Sequence, residues 1–126
     1  MKKYKSTEKE QFVELLQQRI RTFSIRCVRV YRSLPDKDFI AQHYGKQLIR
    51  SSLSIGINYR AARRSRSQNE FFAKLSIVVE ELDESIGWLE MLIFAEVVTE
   101  DKLNELINEG GELLKILSKA RGSTGK

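Results

Sequence analysis

The sequence predicts an all-α protein, an antiparallel up-down-up-down four-helix bundle built as one domain over residues 1–126. Three observations carry this. Apolar residues return every three or four positions through four separate segments, the period of a helix buried on one face. Two of those segments open on a Ser/Thr-x-x-Glu capping box, Thr7 with Glu10 and Ser67 with Glu70. A single proline and 7 glycines punctuate the chain, too few for the repeated turns of an all-β fold.

The first helix is expected over about 7–34. Phe12, Leu16, Ile20, Phe23, Cys27, Val30 and Leu34 follow its capping box at alternating spacings of three and four, a seam that packs helices side by side. Pro35 ends it, because the residue before a proline is disfavoured in the α region. Asp36 or Asp38 then caps the second helix, about 39–64. Its expected seam is Leu48, Ile49, Leu53, Gly56, Ile57 and Ala61, interleaved with Ser51, Ser52 and Ser54.

The third helix, about 68–97, is the most apolar. Phe71, Leu75, Val78, Leu82, Ser85, Leu89 and Leu92 form one seam, and Phe72, Val79, Ile86 and Ile93 a second stripe beside it. Together these exceed one core face, so the second stripe is assigned to an oligomer interface. Thr99 is placed to cap the fourth helix, about 100–120, with Leu103, Leu106, Ile107, Gly110, Leu113, Leu114 and Leu117 on its apolar face. Gly110-Gly111 marks a kink or a close approach. Residues 121–126 read as a disordered tail.

Net charge is +5, and its distribution says more. Residues 1–66 carry 16 Lys and Arg against 5 Asp and Glu, whereas residues 67–126 carry 6 against 12. The basic half either faces a polyanion or pairs with the acidic half, within one chain or between copies. Arg19, Arg26 and Arg29 lie toward one side of the first helix, with Arg21 and Arg32 elsewhere on it. The second helix ends Arg60-Ala61-Ala62-Arg63-Arg64-Ser65-Arg66. Cations there oppose the helix dipole, but four arginines in seven residues exceed what capping requires, and guanidinium suits forked phosphate contacts. Arg19, Arg26, Arg29, Arg50, Arg60, Arg63, Arg64 and Arg66 are therefore the candidate nucleic-acid contacts. Salt bridges between subunits and a plain solvated surface are the alternatives.

No catalytic constellation stands out. The lone Cys27 lies on an apolar seam, where a buried, inert thiol is usual, and the only histidine, His43, reads as a surface or capping residue. Glu80, Glu81, Asp83, Glu84 and Glu90 share one helix without the Glu-x-x-His of di-metal bundles, and read as a solvated acidic face. Trp88 reads as core or interface filler. No phosphate loop or dinucleotide fingerprint occurs. The expectation is a non-enzyme with no metal and no cofactor. No apolar run approaches the roughly 20 residues of a membrane span, and no apolar stretch follows the basic start Met1-Lys2-Lys3-Tyr4-Lys5. A cytoplasmic protein is expected.

The stretch Gln47-Leu48-Ile49-Arg50-Ser51-Ser52-Leu53-Ser54-Ile55-Gly56-Ile57-Asn58-Tyr59-Arg60-Ala61-Ala62 resembles the four helix bundle protein family, also called the 23S rRNA-intervening sequence protein family. Ser67-Gln68-Asn69-Glu70-Phe71, Leu75-Ser76-Ile77-Val78 and Ile86-Gly87-Trp88-Leu89-Glu90 continue the likeness, which runs from about Phe12 to Leu117. The family often has Glu where this chain has Ala61, so the local surface is more basic. The resemblance implies a left-handed bundle that assembles into a ring-like homopentamer. It also implies kinship with the accessory proteins of diversity-generating retroelements, which bind nucleic acid and a reverse transcriptase. Arg50, Ser54 and Asn58 match the family pattern at spacings of four, and read as a packing and hydrogen-bonding stripe. The function expected is an oligomeric RNA- or DNA-binding accessory factor; a structural or protein-interaction module is the alternative.

Overall fold

A computed structural model describes residues 7–124. It consists of four helices: α1 (Glu8–Ser33), α2 (Phe39–Arg63), α3 (Gln68–Phe94) and α4 (Glu100–Thr124). Consecutive helices pack side by side, α2 against α3 most extensively, and α4 returns to α1 along a thin seam. Cross-helix pairs run in opposite senses. Gln17 meets Arg63 and Ser24 meets Ser52; Asn58 meets Glu81 and Tyr44 meets Trp88. Arg19 meets Glu112, and Arg26 meets Glu105. The bundle is antiparallel throughout. Among the described residues no helix is long and apolar enough to cross a membrane.

The helix starts are set locally. The Glu10 amide donates to Thr7 Oγ1 at 3.1 Å, and the Glu70 amide to Ser67 Oγ at 3.1 Å. The capping glutamates do not reach back to the cap amides: Glu10 accepts the Thr7 hydroxyl, and Glu70 takes the Lys74 ammonium at 2.9 Å. Asp38 caps α2, its Oδ1 accepting from the amides of Ile40 and Ala41 at 3.0 and 3.1 Å. Leu34, before Pro35, is extended at φ −74°, ψ 147°, which ends α1 as the steric rule requires.

Two ends differ from expectation. α3 stops at Phe94, short of 97, because Glu96 turns left-handed at φ 61°. The Val97 amide then reaches the Leu92 carbonyl at 3.0 Å and the Glu96 amide the Ile93 carbonyl at 2.9 Å, a Schellman closure that folds Val97 onto the core. α4 runs on to Thr124, so the expected tail is helical through that residue; Arg121 in its last turn complements the dipole. Residues 125–126, like Met1 to Ser6, lie outside the described residues.

The core follows the expected seams of α1, α3 and α4, except that Phe12, at the open start of α1, is 55% exposed. Leu16, Ile20, Phe23, Cys27, Leu75, Val78, Leu82, Leu89, Leu92, Leu103, Leu106, Leu113 and Leu117 are buried. α2 is turned away from the expected seam. Its buried line is Ala41, Gly45, Leu48, Ser52, Ile55, Tyr59 and Ala62, while Leu53 and Ile57 remain 48% and 67% exposed. Small residues decide this. α2 touches two helices, and the short side chains let both approach: Ser24 Oγ donates to the Ser52 carbonyl at 2.7 Å, and Ser51 Oγ lies 2.8 Å from Ser85 Oγ. Larger aliphatics would hold those backbones apart.

The second stripe of α3 is also reassigned in part. Val79 is buried in the chain's own core, and Ile86 and Ile93 pack against that core. Phe72 alone of the four is an exposed side chain. The breadth of the stripe is used by α4, whose Gly110 lets Ile86 close in.

Candidate nucleic-acid interface

Where α2 ends, Arg60 and Arg63 stand in its last turn, with Arg64 as C-cap residue. Their charges oppose the partial negative charge of the helix end. The antiparallel register sets the first half of α1 against this end. Arg21, Arg60, Arg63 and Arg64 consequently line one open groove of about 500 Å³ together with Gln17 and Glu14. Glu14 is the only carboxylate in that lining, and its oxygen is 3.7 Å from the Arg63 guanidinium, which also donates to Gln17 Oε1. Arg63 is thereby anchored, while Arg21, Arg60 and Arg64 are exposed. Arg66 is exposed beside Ser65, Ser67 and Phe71 on an adjoining depression. This end of the molecule presents guanidinium groups to solvent, with Glu10 and Glu14 near Arg63 and Glu70 near Arg66.

The α1 arginines do not all belong here. Arg19 donates to Glu109 through Nε at 3.1 Å and through Nη2 at 2.7 Å, and lies 3.1 Å from Glu112. Those carboxylates raise its pKa further above the usual arginine value. Arg26 sits 3.9 Å from Glu105. α4 thus sets carboxylates close beside Arg19 and loosely beside Arg26, so of the candidate phosphate contacts these two already have partners within the chain. Arg29 is exposed on α1, and Arg50 on α2 (neither forms an ion pair among the described residues). Arg21 was missed in sequence; only the pairing of α1 with α2 reveals that it joins Arg60.

A second polar arrangement lies between α2 and α3. Glu81, half-buried, accepts from the Ser54 hydroxyl and from Asn58 Nδ2, the latter at 2.7 Å. The Ser54 and Asn58 positions shared with the family pattern are therefore structural, holding a carboxylate across the helix interface. Glu81 itself was read as part of a solvated face. Its neighbours Glu80, Asp83, Glu84 and Glu90 are exposed and form no ion pair among the described residues.

The single cysteine and histidine sit apart in kind. Cys27 is wholly buried beside Ser52, and burial pushes its thiol up to about 12. His43 is exposed on α2 and stacks on Phe39. Among the described residues no group of three His, Cys, Asp or Glu converges as a metal site.

The family description "23S rRNA-intervening sequence protein" matches residues 5–119 of this chain. A solved structure from Bacteroides thetaiotaomicron, a protein of unknown function from the S23 ribosomal protein family, is 32% identical to it. The likeness covers 84% of this chain and 97% of that one, with a TM-score of 0.76. No curated protein matches the sequence.

Proposed function

We propose, from the premise that this chain belongs to the 23S rRNA-intervening sequence protein family, that it is a non-catalytic, self-associating protein that binds nucleic acid. The observation that carries this is the groove lined by Arg21, Arg60, Arg63 and Arg64 against the single carboxylate Glu14. Four guanidinium groups on one face give a phosphate backbone forked, charge-assisted partners without reading base edges. The family's name identifies no ligand.

The test is a titration of labelled RNA and DNA over a range of salt. Neutralising about four phosphates predicts a log–log slope near −3 on a single strand. Arg60→Ala/Arg63→Ala/Arg64→Ala should weaken binding and flatten that slope by about 2. An absence of binding at low salt sinks the reading.

Self-association has its own support. Ile25, Leu53 and Ile57 line one apolar groove between α1 and α2, flanked by Arg21 and Arg60. The exposed carboxylates of α3 offer an opposite charge on another face of the molecule. Two unlike, complementary faces favour head-to-tail contact, which closes into a ring when the rotation allows. A pentamer is the ring that the family resemblance implies. Light scattering reads the mass: a monomer at all concentrations rejects this part.

A further inference from the structure

We propose that Phe39 and His43 form a stacking platform for unpaired bases of a single-stranded nucleic acid, whose phosphates meet Lys46 and Arg50; the inference rests on the nucleic-acid-binding reading above. The platform lies at the opposite end of α2 from the arginine cluster. Phe39 is 80% exposed, so it closes no core. Its ring lies nearly parallel to that of His43, with an interplanar angle of 11° and centroids 6.5 Å apart. Behind them the row continues inward, His43 to Tyr44 at 5.9 Å and Tyr44 to Trp88 at 5.8 Å, which backs the outer rings with packed ones.

The helix that carries the platform has only cationic charges, with Asp36 exposed in the turn before it. α2 carries no Asp or Glu anywhere in its sequence, and Asp38 just before it is engaged with the cap amides. Phe39, His43, Lys46 and Arg50 follow at spacings of four, three and four, which places them on one helix face. All four are exposed, and Lys46 and Arg50 form no ion pair among the described residues. From Phe39 to Arg50 the rise is about 16 Å, the reach of about five nucleotides stacked at 3.4 Å. Leu53 and Ile57, assigned above to the subunit contact, separate this stretch from Arg60. An exposed aromatic pair next to unpaired cations suits single strands, whose bases have free faces. A duplex hides those faces and has only phosphates to offer.

The experiment uses the full chain with a single-stranded RNA of about 16 nucleotides, and with the same sequence annealed as a duplex. A 2-aminopurine in the single strand reports stacking. Phe39→Ala/His43→Ala should weaken the single strand about tenfold, abolish the aminopurine quenching and leave the duplex within about twofold. Phe39→Trp should keep both affinity and quenching. Unchanged single-strand affinity in the double variant overturns the proposal, as does an equal loss on the duplex. If that variant instead alters the oligomer mass with nucleic-acid affinity intact, the patch is a protein contact and the proposal falls. Binding lost on Arg60→Ala/Arg63→Ala/Arg64→Ala with no effect at Phe39 and His43 rejects this platform alone. No binding by the unmutated chain rejects both readings.

Discussion

Asn58 Nδ2 donates to Glu81 Oε1 at 2.7 Å, tying the middle of α2 to the middle of α3. The Ser54 hydroxyl donates to the other oxygen of the same carboxylate. One side chain on α3 thus satisfies two donors on α2, on the interface where the bundle packs most extensively. Glu81→Ala leaves the half-buried Asn58 amide without its acceptor, whereas the Ser54 hydroxyl can fall back on the Ser51 carbonyl at 3.1 Å. It should cost about 1–2 kcal/mol in urea unfolding, and Glu81→Gln less, because its amide oxygen still accepts from one of them. Glu80→Ala, one position away and exposed, should stay within about 0.5 kcal/mol. Equal effects at the two sites would refute this role for Glu81.

The adjacent glycines of α4 should respond in opposite directions. A methyl group at Gly110 would lie 2.9 Å from Ile86 Cγ1 and 2.9 Å from Phe23 Cε1, and Phe23 is fully buried. Nothing comes within 4 Å of one at Gly111. Gly111→Ala should therefore gain about 0.5–1 kcal/mol from helix propensity. Gly110→Ala meets an overpacking penalty of about 1–3 kcal/mol against the same gain, and should be neutral to destabilising. Thermal melts of the two variants check the ordering.

Glu96 sits at φ 61°, a left-handed position that favours glycine. Glu96→Gly should raise stability by about 0.5–1 kcal/mol, with the Val97-to-Leu92 closure unchanged. A lower melting temperature would show that the Glu96 side chain contributes more than its backbone costs.

Alkaline pH should expose the burial of Cys27. The folded thiol is pushed up to about 12 from an ordinary value of 9.0. Above pH 9 the unfolded chain therefore loses a proton that the folded chain keeps, so the unfolded state binds fewer protons and stability falls as pH rises. Below pH 9 both states are protonated and the group contributes no slope. Burial raises the Tyr59 phenol too, which adds to the fall at still higher pH. Denaturant melts of the parent and Cys27→Val at pH 8 and 10.5 should differ by on the order of 1–2 kcal/mol in their pH-induced loss, the parent losing more. Equal losses would remove Cys27 as the cause.

Arg19 should matter to folding more than to nucleic acid. Its bidentate contact with Glu109 crosses the thin α1–α4 seam with both side chains about a quarter exposed. A double-mutant cycle of Arg19→Ala and Glu109→Ala should return a coupling of about 0.5–1 kcal/mol that shrinks in salt. RNA affinity of Arg19→Ala should stay within about twofold of the parent, in contrast to the α2 arginines. A larger loss would return Arg19 to the interface.

Much of this molecule was legible in its one-dimensional pattern. Thr7, Asp38 and Ser67 announce helix starts because capping is a contact within three residues. Pro35 announces an end for the same local reason. The seams of α1 and α4 are legible because each presents one dominant apolar face, and the first seam of α3 because its spacing is regular. The likeness around Ser54 and Asn58 pointed to hydrogen bonding that the structure shows, although the acceptor on α3 had no local signal, while Arg50 stays exposed outside it.

Tertiary packing decided the rest. α2 offers two faces of similar apolarity, and which one turns inward depends on how closely α1 and α3 approach over Ser24, Ser51, Ser52 and Ser85. Apolar content alone favoured Leu53 and Ile57; interhelical distance favoured the small residues. The fate of the arginines was likewise set across the bundle. Arg19 and Arg26 look no different from Arg21 along the chain, yet antiparallel register lays the first two against the carboxylates of α4 and the third beside Arg60. Local chemistry fixes where helices begin and end, whereas charge pairing and the choice of buried face depend on neighbours dozens of residues away.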